Sequence, residues 1–188
     1  SGFSVAGKDE FDPYYGDMVV VPTGATLNLG TITIEGRHSQ DIDFTATGSI
    51  IRLNGGTVNM NAGTTLQNNS TSGNGGAVAT SGTGILTMTG GTIANMKAPQ
   101  GAAIHHSGSA LNLSGGPSIA GEVYLNGTGK VISVPGNTIG NTALTIGIDS
   151  ASAKENRAVV AYSSTPTAAV ETPKYTLSEA VTAAFYLN

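Results

Sequence analysis

The sequence predicts an all-β fold: a right-handed parallel β-helix with three short strands per coil and an aromatic cap at each end. Two observations carry this expectation. The chain repeats itself, because Gly75 to Met96 (GGAVATSGTGILTMTGGTIANM) aligns with Gln100 to Gly121 (QGAAIHHSGSALNLSGGPSIAG). Leu86 falls on Leu111, Met88 on Leu113 and Gly90-Gly91 on Gly115-Gly116, all at one constant offset. Within each repeat, apolar residues also alternate with small polar ones, which is the strand period. A unit this short cannot bury its apolar face alone, so it must stack on its neighbours.

The elements follow in order. Residues 1–24 contain Phe3, Phe11, Tyr14 and Tyr15 and read as an N-terminal cap, since a solenoid needs an atypical unit over its open core. Residues 25–148 hold the coils. Leu27-Asn28-Leu29 corresponds to Val58-Asn59-Met60, Val58 to Leu86, and Leu86 to Leu111, and the interval shortens at each step. A β-coil absorbs such drift in its turns, whereas packed helices hold a fixed repeat length. Period two puts Leu86, Met88, Leu111 and Leu113 inside and their polar neighbours outside. A second strand follows each glycine pair, around Ile93 and Ile119, and a third lies around Val78 and Ile104. Thr31-Ile32-Thr33-Ile34 alternates in the same way. Residues 149–188 contain Tyr162, Tyr175, Phe185 and Tyr186 and read as cap strands closing a single domain.

Composition narrows the function. The 188 residues include 27 glycines and no cysteine, so disulfides, thiol nucleophiles and thiolate metal sites are excluded. A net charge of −4 gives no basic footprint for nucleic acid. No long apolar run is present, so neither membrane insertion nor a secretory signal is expected within these residues. The Ser/Thr/Asn/Gly-rich composition points to a place outside the cell or on its surface.

The repeats GGAV…LTMTGGTI and LNLSGGPSIAG, with the closing run GEVYLNGTGKVISV, resemble the Gly-rich repeats of large surface proteins from host-associated bacteria. Those proteins are similar to the pectate-lyase-like β-helix superfamily, and the likeness spans about Gly48 to Ile148. The resemblance implies a bacterial, adhesin-like domain, non-catalytic, monomeric or part of a larger surface protein. It also leaves open a polysaccharide lyase or glycoside hydrolase, a degenerate relative of one, or a purely structural spacer.

A β-helix hydrolase needs two or three converging carboxylates, and a lyase needs a base beside acidic Ca²⁺ ligands. From Leu53 to Gly121 there is no Asp or Glu, and Lys97 is the one lysine. If the chain is an enzyme, Asp41, Asp43 and Arg52 are the catalytic candidates, in a stretch that also holds Glu35, Arg37 and His38. A solvated loop joining two coils accounts for the same residues. His105-His106 lacks a nearby carboxylate and reads as a polar pair, one ring facing out and the other near a corner. Asp9, Glu10, Asp12 and Asp17 form an acidic N-terminal group that could bind Ca²⁺ but matches no Ca²⁺ loop consensus, so no cofactor or metal is expected. Asn68 and Asn95 occupy equivalent places and predict an internal asparagine ladder.

One outward face has a consistent chemistry. Asn59 and Asn61, then Thr87 and Thr89, then Asn112 and Ser114 should form a flat array repeating about every 4.8 Å. Such a face suits a polysaccharide or host glycan. A Thr-x-Thr pair occurs on this strand at one coil, which is too few to order water as an ice-binding face does. The soluble side of a sheet is the plain alternative.

Overall fold

The computed structural model describes residues 4–5, 16–36, 47–135, 139, 143–149, 158–163 and 175–178. All regular elements among them are strands. Three faces recur along the chain. β1 (Ser4–Val5), β2 (Val19–Pro22), β5 (Ile51–Asn54), β8 (Val78–Ser81), β11 (Ile104–His106), β14 (Glu122–Leu125), β16 (Leu144–Ile148) and β18 (Tyr175–Leu177) form sheet A in that spatial order. Sheet B runs β3 (Thr26–Leu29), β6 (Thr57–Met60), β9 (Ile85–Met88), β12 (Ala110–Leu113), β15 (Ile132–Val134) and β17 (Val160–Tyr162). Sheet C runs β4 (Ile32–Glu35), β7 (Thr64–Ser70), β10 (Thr92–Lys97) and β13 (Ser118–Ile119). Four coils thus carry all three strands, and every pairing except that of β1 with β2 is parallel. The chain is a right-handed parallel β-helix.

The repeat spacings set the register. Leu27 pairs with Val58, Val58 with Leu86 and Leu86 with Leu111. Ile93 pairs with Ile119 and Val78 with Ile104, as the alignment predicts. Inward positions therefore stack like on like: Val58, Leu86, Leu111 and Ile132 in sheet B, and Leu66 and Ile93 in sheet C, all at or near zero exposure. Each such side chain contributes about 1.5–3 kcal/mol on leaving water. At the first coil sheet C ends, so Ile32 occupies an inward register yet stays 45% exposed.

Glycine is required where coils touch. Gly115 has φ +69° and a Cβ there would lie 2.1 Å from Thr89 O, while one at Gly91 (φ +85°) would meet Met60 Cε at 2.8 Å. The duplicated Gly-Gly pairs are thus corners at which one coil passes close against the one beneath.

Both ends extend the stack. β1 covers the edge of β2 antiparallel, and β17 and β18 add parallel rungs within the stretch expected as a C-terminal cap. Tyr162 and Tyr175 are half-buried against the core with their hydroxyls hydrogen-bonded to each other. Phe3, Phe11, Tyr14, Tyr15, Phe185 and Tyr186 lie outside the described residues.

Candidate functional site

Sheet B brings the residues of the expected polar array together on its outer side. Asn28, Asn59, Thr87, Asn112 and Ser133 are consecutive in register on its outer side. Asn61, Thr89 and Ser114 form a second column just past the strand ends, where Thr89 N and Ser114 N still bond to Met60 O and Met88 O of the preceding rungs. Each column is laced from rung to rung. Asn59 Nδ2 donates to Asn28 Oδ1 at 2.7 Å, Asn112 Nδ2 to Thr87 Oγ1 at 3.2 Å, and Thr89 Oγ1 to Asn61 Oδ1 at 2.9 Å. These bonds restrain the side chains along each column and use part of their capacity, since each amide has two donor hydrogens and an acceptor oxygen. The face is long along the solenoid axis and two columns wide.

A second group of polar side chains gathers on the outer side of sheet A. Arg52, Ala79, His105, Tyr124 and Gly147 are successive in register. Arg52 Nε bonds to Asp17 Oδ2 at 3.0 Å, and Asp17 Oδ1 accepts from Ser49 N at 2.8 Å. Asp17, expected within an acidic N-terminal group, is therefore the partner of Arg52. The His105 and Tyr124 rings stack 5.5 Å apart at 8°. Gln100 Nε2 donates to Tyr124 Oη at 3.1 Å, and Gly101 N donates to Glu122 Oε2 at 2.8 Å. Burial holds His105 below the usual imidazole range; Arg52 acts the same way and Glu122 opposes. Burial, with Asp149 and Glu122, raises the Tyr124 phenol. Each of these groups has an internal partner.

The two histidines separate. His105 faces outward but is covered by Tyr124, while His106 lies inside the solenoid at 1% exposure, in the row formed by Leu53, Thr80 and Leu125. His106 ends β11 beside the turn, as expected of a ring near a corner, and its side chain points inward. Parallel pairing of β11 to Val78–Thr80 puts the third residue of the strand inside, since period two alternates from an inward Ile104.

The asparagine ladder exists, but on the outside. Asn68 (φ 60°) and Asn95 (φ 55°) take the left-handed conformation at a bend shared by β7 and β10, and Asn95 Nδ2 donates to Asn68 Oδ1 at 3.1 Å. Glu35 begins the ladder, accepting from Gln67 and, at 2.7 Å, from Asn68 Nδ2; these bonds hold its carboxyl below the usual range. The buried amide is Asn69, whose Nδ2 donates to Gly48 O and Gly76 O at 3.1 and 2.8 Å. Arg37, His38, Asp41, Asp43, Asp9, Glu10 and Asp12 lie outside the described residues. Among the described residues no three His, Asp or Glu side chains are grouped to hold a metal.

The sheet A gathering had no signal in the sequence. Its members come from successive rungs that are unevenly spaced along the chain and share no repeating chemistry. No family model, curated protein or solved structure matches this chain.

Proposed function

We propose that this chain is a non-catalytic, adhesin-like β-helix domain, acting outside the cell or on its surface, that contacts polysaccharide or host glycan through the outer side of sheet B. The observation that supports it is the pair of polar columns, Asn28, Asn59, Thr87, Asn112 and Ser133 beside Asn61, Thr89 and Ser114, each bonded from rung to rung. They offer neutral donors and acceptors at a rung spacing of about 4.8 Å with the conformational freedom of the side chains already reduced by mutual hydrogen bonds. An uncharged, hydroxyl-rich polymer meets that pattern better than an ionic ligand does.

A polysaccharide lyase or hydrolase is the second reading. Asp17, Arg52, His105, Glu122 and Tyr124 share one outer face and favour it. Against it, Arg52 is neutralised by Asp17, Glu122 is held by a backbone amide, and His105 is 9% exposed. A glycan array run beside an assay for newly formed chain ends on neutral and acidic polysaccharides separates the readings. Binding without cleavage is the expected result. Cleavage abolished by Glu122→Gln would replace the first reading with the second, and neither binding nor cleavage would leave a structural spacer.

A further inference from the structure

We propose that His106 is an acid-sensitive latch, whose protonation inside the solenoid releases the 107–109 turn that joins sheet A to sheet B within the fourth coil. The latch centres on Thr80. Its Oγ1 accepts from Gly108 N at 3.0 Å and lies 2.9 Å from His106 Nδ1, while its carbonyl accepts from Ser107 Oγ at 2.6 Å and Ser107 N at 3.2 Å. Because Gly108 N–H already donates to Oγ1, the Thr80 hydroxyl hydrogen is available to His106 Nδ1. The ring then acts as an acceptor at Nδ1 and carries its proton on Nε2, the neutral form.

A second proton reverses that bond. Nδ1–H would donate to Oγ1, and the Thr80 hydroxyl hydrogen would lose the Nδ1 acceptor and have to turn away from the ring, Leu53 being its neighbour on the other side of the row. The imidazolium would also be a buried charge. The groups acting on it are unfavourable. Lys130, on the turn after β14, donates Nζ to Gly108 O at 2.5 Å and brings its ammonium near, and the adjacent His105 acts in the same direction. On the β8 side the partner is the uncharged Thr80, and on the β14 side it is Leu125. Burial, then Lys130, then His105 lower the imidazole from 6.5 to about 4.

The direction follows from linkage. An open turn exposes His106 with its ordinary value of 6.5, so the closed form is fully favoured above pH 6.5 and loses advantage as pH falls through the window down to about 4. Tenfold per unit of difference gives an opening equilibrium about 30-fold larger at pH 5 than at pH 8, approaching roughly 300-fold below pH 4. Ser109 N bonds to Gly84 O at 2.8 Å and leads directly into β12, so the release acts at the rung that carries Asn112.

The test is amide hydrogen exchange at pH 8 and pH 5, read as protection factors. The Ser107, Gly108 and Ser109 amides should lose about 30-fold in protection at pH 5, while amides of β6 and β7 change far less. His106→Leu, which continues the leucine row, and His106→Gln, which keeps an acceptor for Thr80, should each abolish the difference. If either folded variant retains the pH dependence, or if residues 107–109 are equally protected at both pH values in the unsubstituted protein, the latch is refuted. A directly measured His106 pKa near 6.5 would refute it too.

Discussion

Asn95 allows the outer ladder to be separated into a backbone part and a side-chain part. At φ 55° it sits where an L side chain is disfavoured, and its amide donates to Asn68 Oδ1. Alanine in the left-handed region costs about 1–2 kcal/mol, and a lost exposed hydrogen bond adds roughly 0.5–1 kcal/mol. Asn95→Ala should therefore destabilise the protein by about 2 kcal/mol, the two losses adding. Asn95→Gly loses the same amide but fits the backbone, and should cost about 1 kcal/mol. Urea denaturation with both variants measures the difference, which isolates the left-handed backbone. If Asn95→Ala unfolds at the same urea concentration as the parent, or if Asn95→Gly is the more damaging, the assignment of a left-handed bend at this rung is wrong. An unequal slope between the variants would mean that the unfolded ensemble had changed, and the comparison would then be repeated thermally.

Other consequences can be checked in the same way. Leu111→Ala removes a fully buried side chain flanked by Leu86 and Ile132 and should lower stability by about 3–5 kcal/mol in urea denaturation, because stacked rungs cannot collapse into the cavity. Gly147→Ala would set a Cβ 2.2 Å from Glu122 Oε1 and 2.6 Å from Tyr124 Cδ2. The carboxylate can swing away but the ring must shift, so a loss of roughly 1–2 kcal/mol and a changed tyrosine near-ultraviolet signal are expected. Arg52→Met breaks a partly exposed ion pair at 32% and 20% side-chain exposure and should cost no more than about 1 kcal/mol, the loss shrinking in high salt. A larger loss would mean that Arg52 has a role beyond pairing with Asp17.

The sequence was most legible where chemistry recurs at every rung. Leu86 and Leu111, or Ile93 and Ile119, announce their register because one inward surface demands an apolar residue each time round. The shortening of the interval from Leu27–Val58 to Val58–Leu86 to Leu86–Leu111 did not obscure this, since turns take up the difference while strands stay aligned. The outward columns of sheet B were legible for the complementary reason, namely that period two assigns every residue between two inward ones to solvent. Asn68 and Asn95 were recognised as equivalent, but nothing in their spacing distinguishes an inner corner from an outer one; the buried amide proved to be the neighbouring Asn69.

Sheet A resisted the same reasoning. Its inward register was legible at Val78 and Ile104, but its outer row reads Arg52, Ala79, His105, Tyr124, Gly147, with no residue type repeated. Glu122 immediately follows the acid-free stretch that ends at Gly121, and only the stacking of β11 on β14 brings it near His105. His106 was hidden by its polarity. A histidine is expected outside, and its place in the leucine row becomes plain only once Thr80 is found beside it as a hydrogen-bond partner.

The proposed contact between glycan and the outer side of sheet B can be measured directly. Its most direct measurement is titration calorimetry of the parent and of an Asn59→Ala, Thr87→Val, Asn112→Ala triple variant with the glycan selected on the array. All three positions are outward, so the variant should keep its fold by circular dichroism. The parent should bind without cleaving, and the triple variant should lose at least about tenfold in affinity, roughly 1.4 kcal/mol. Unchanged affinity in a folded triple variant would contradict the proposed contact.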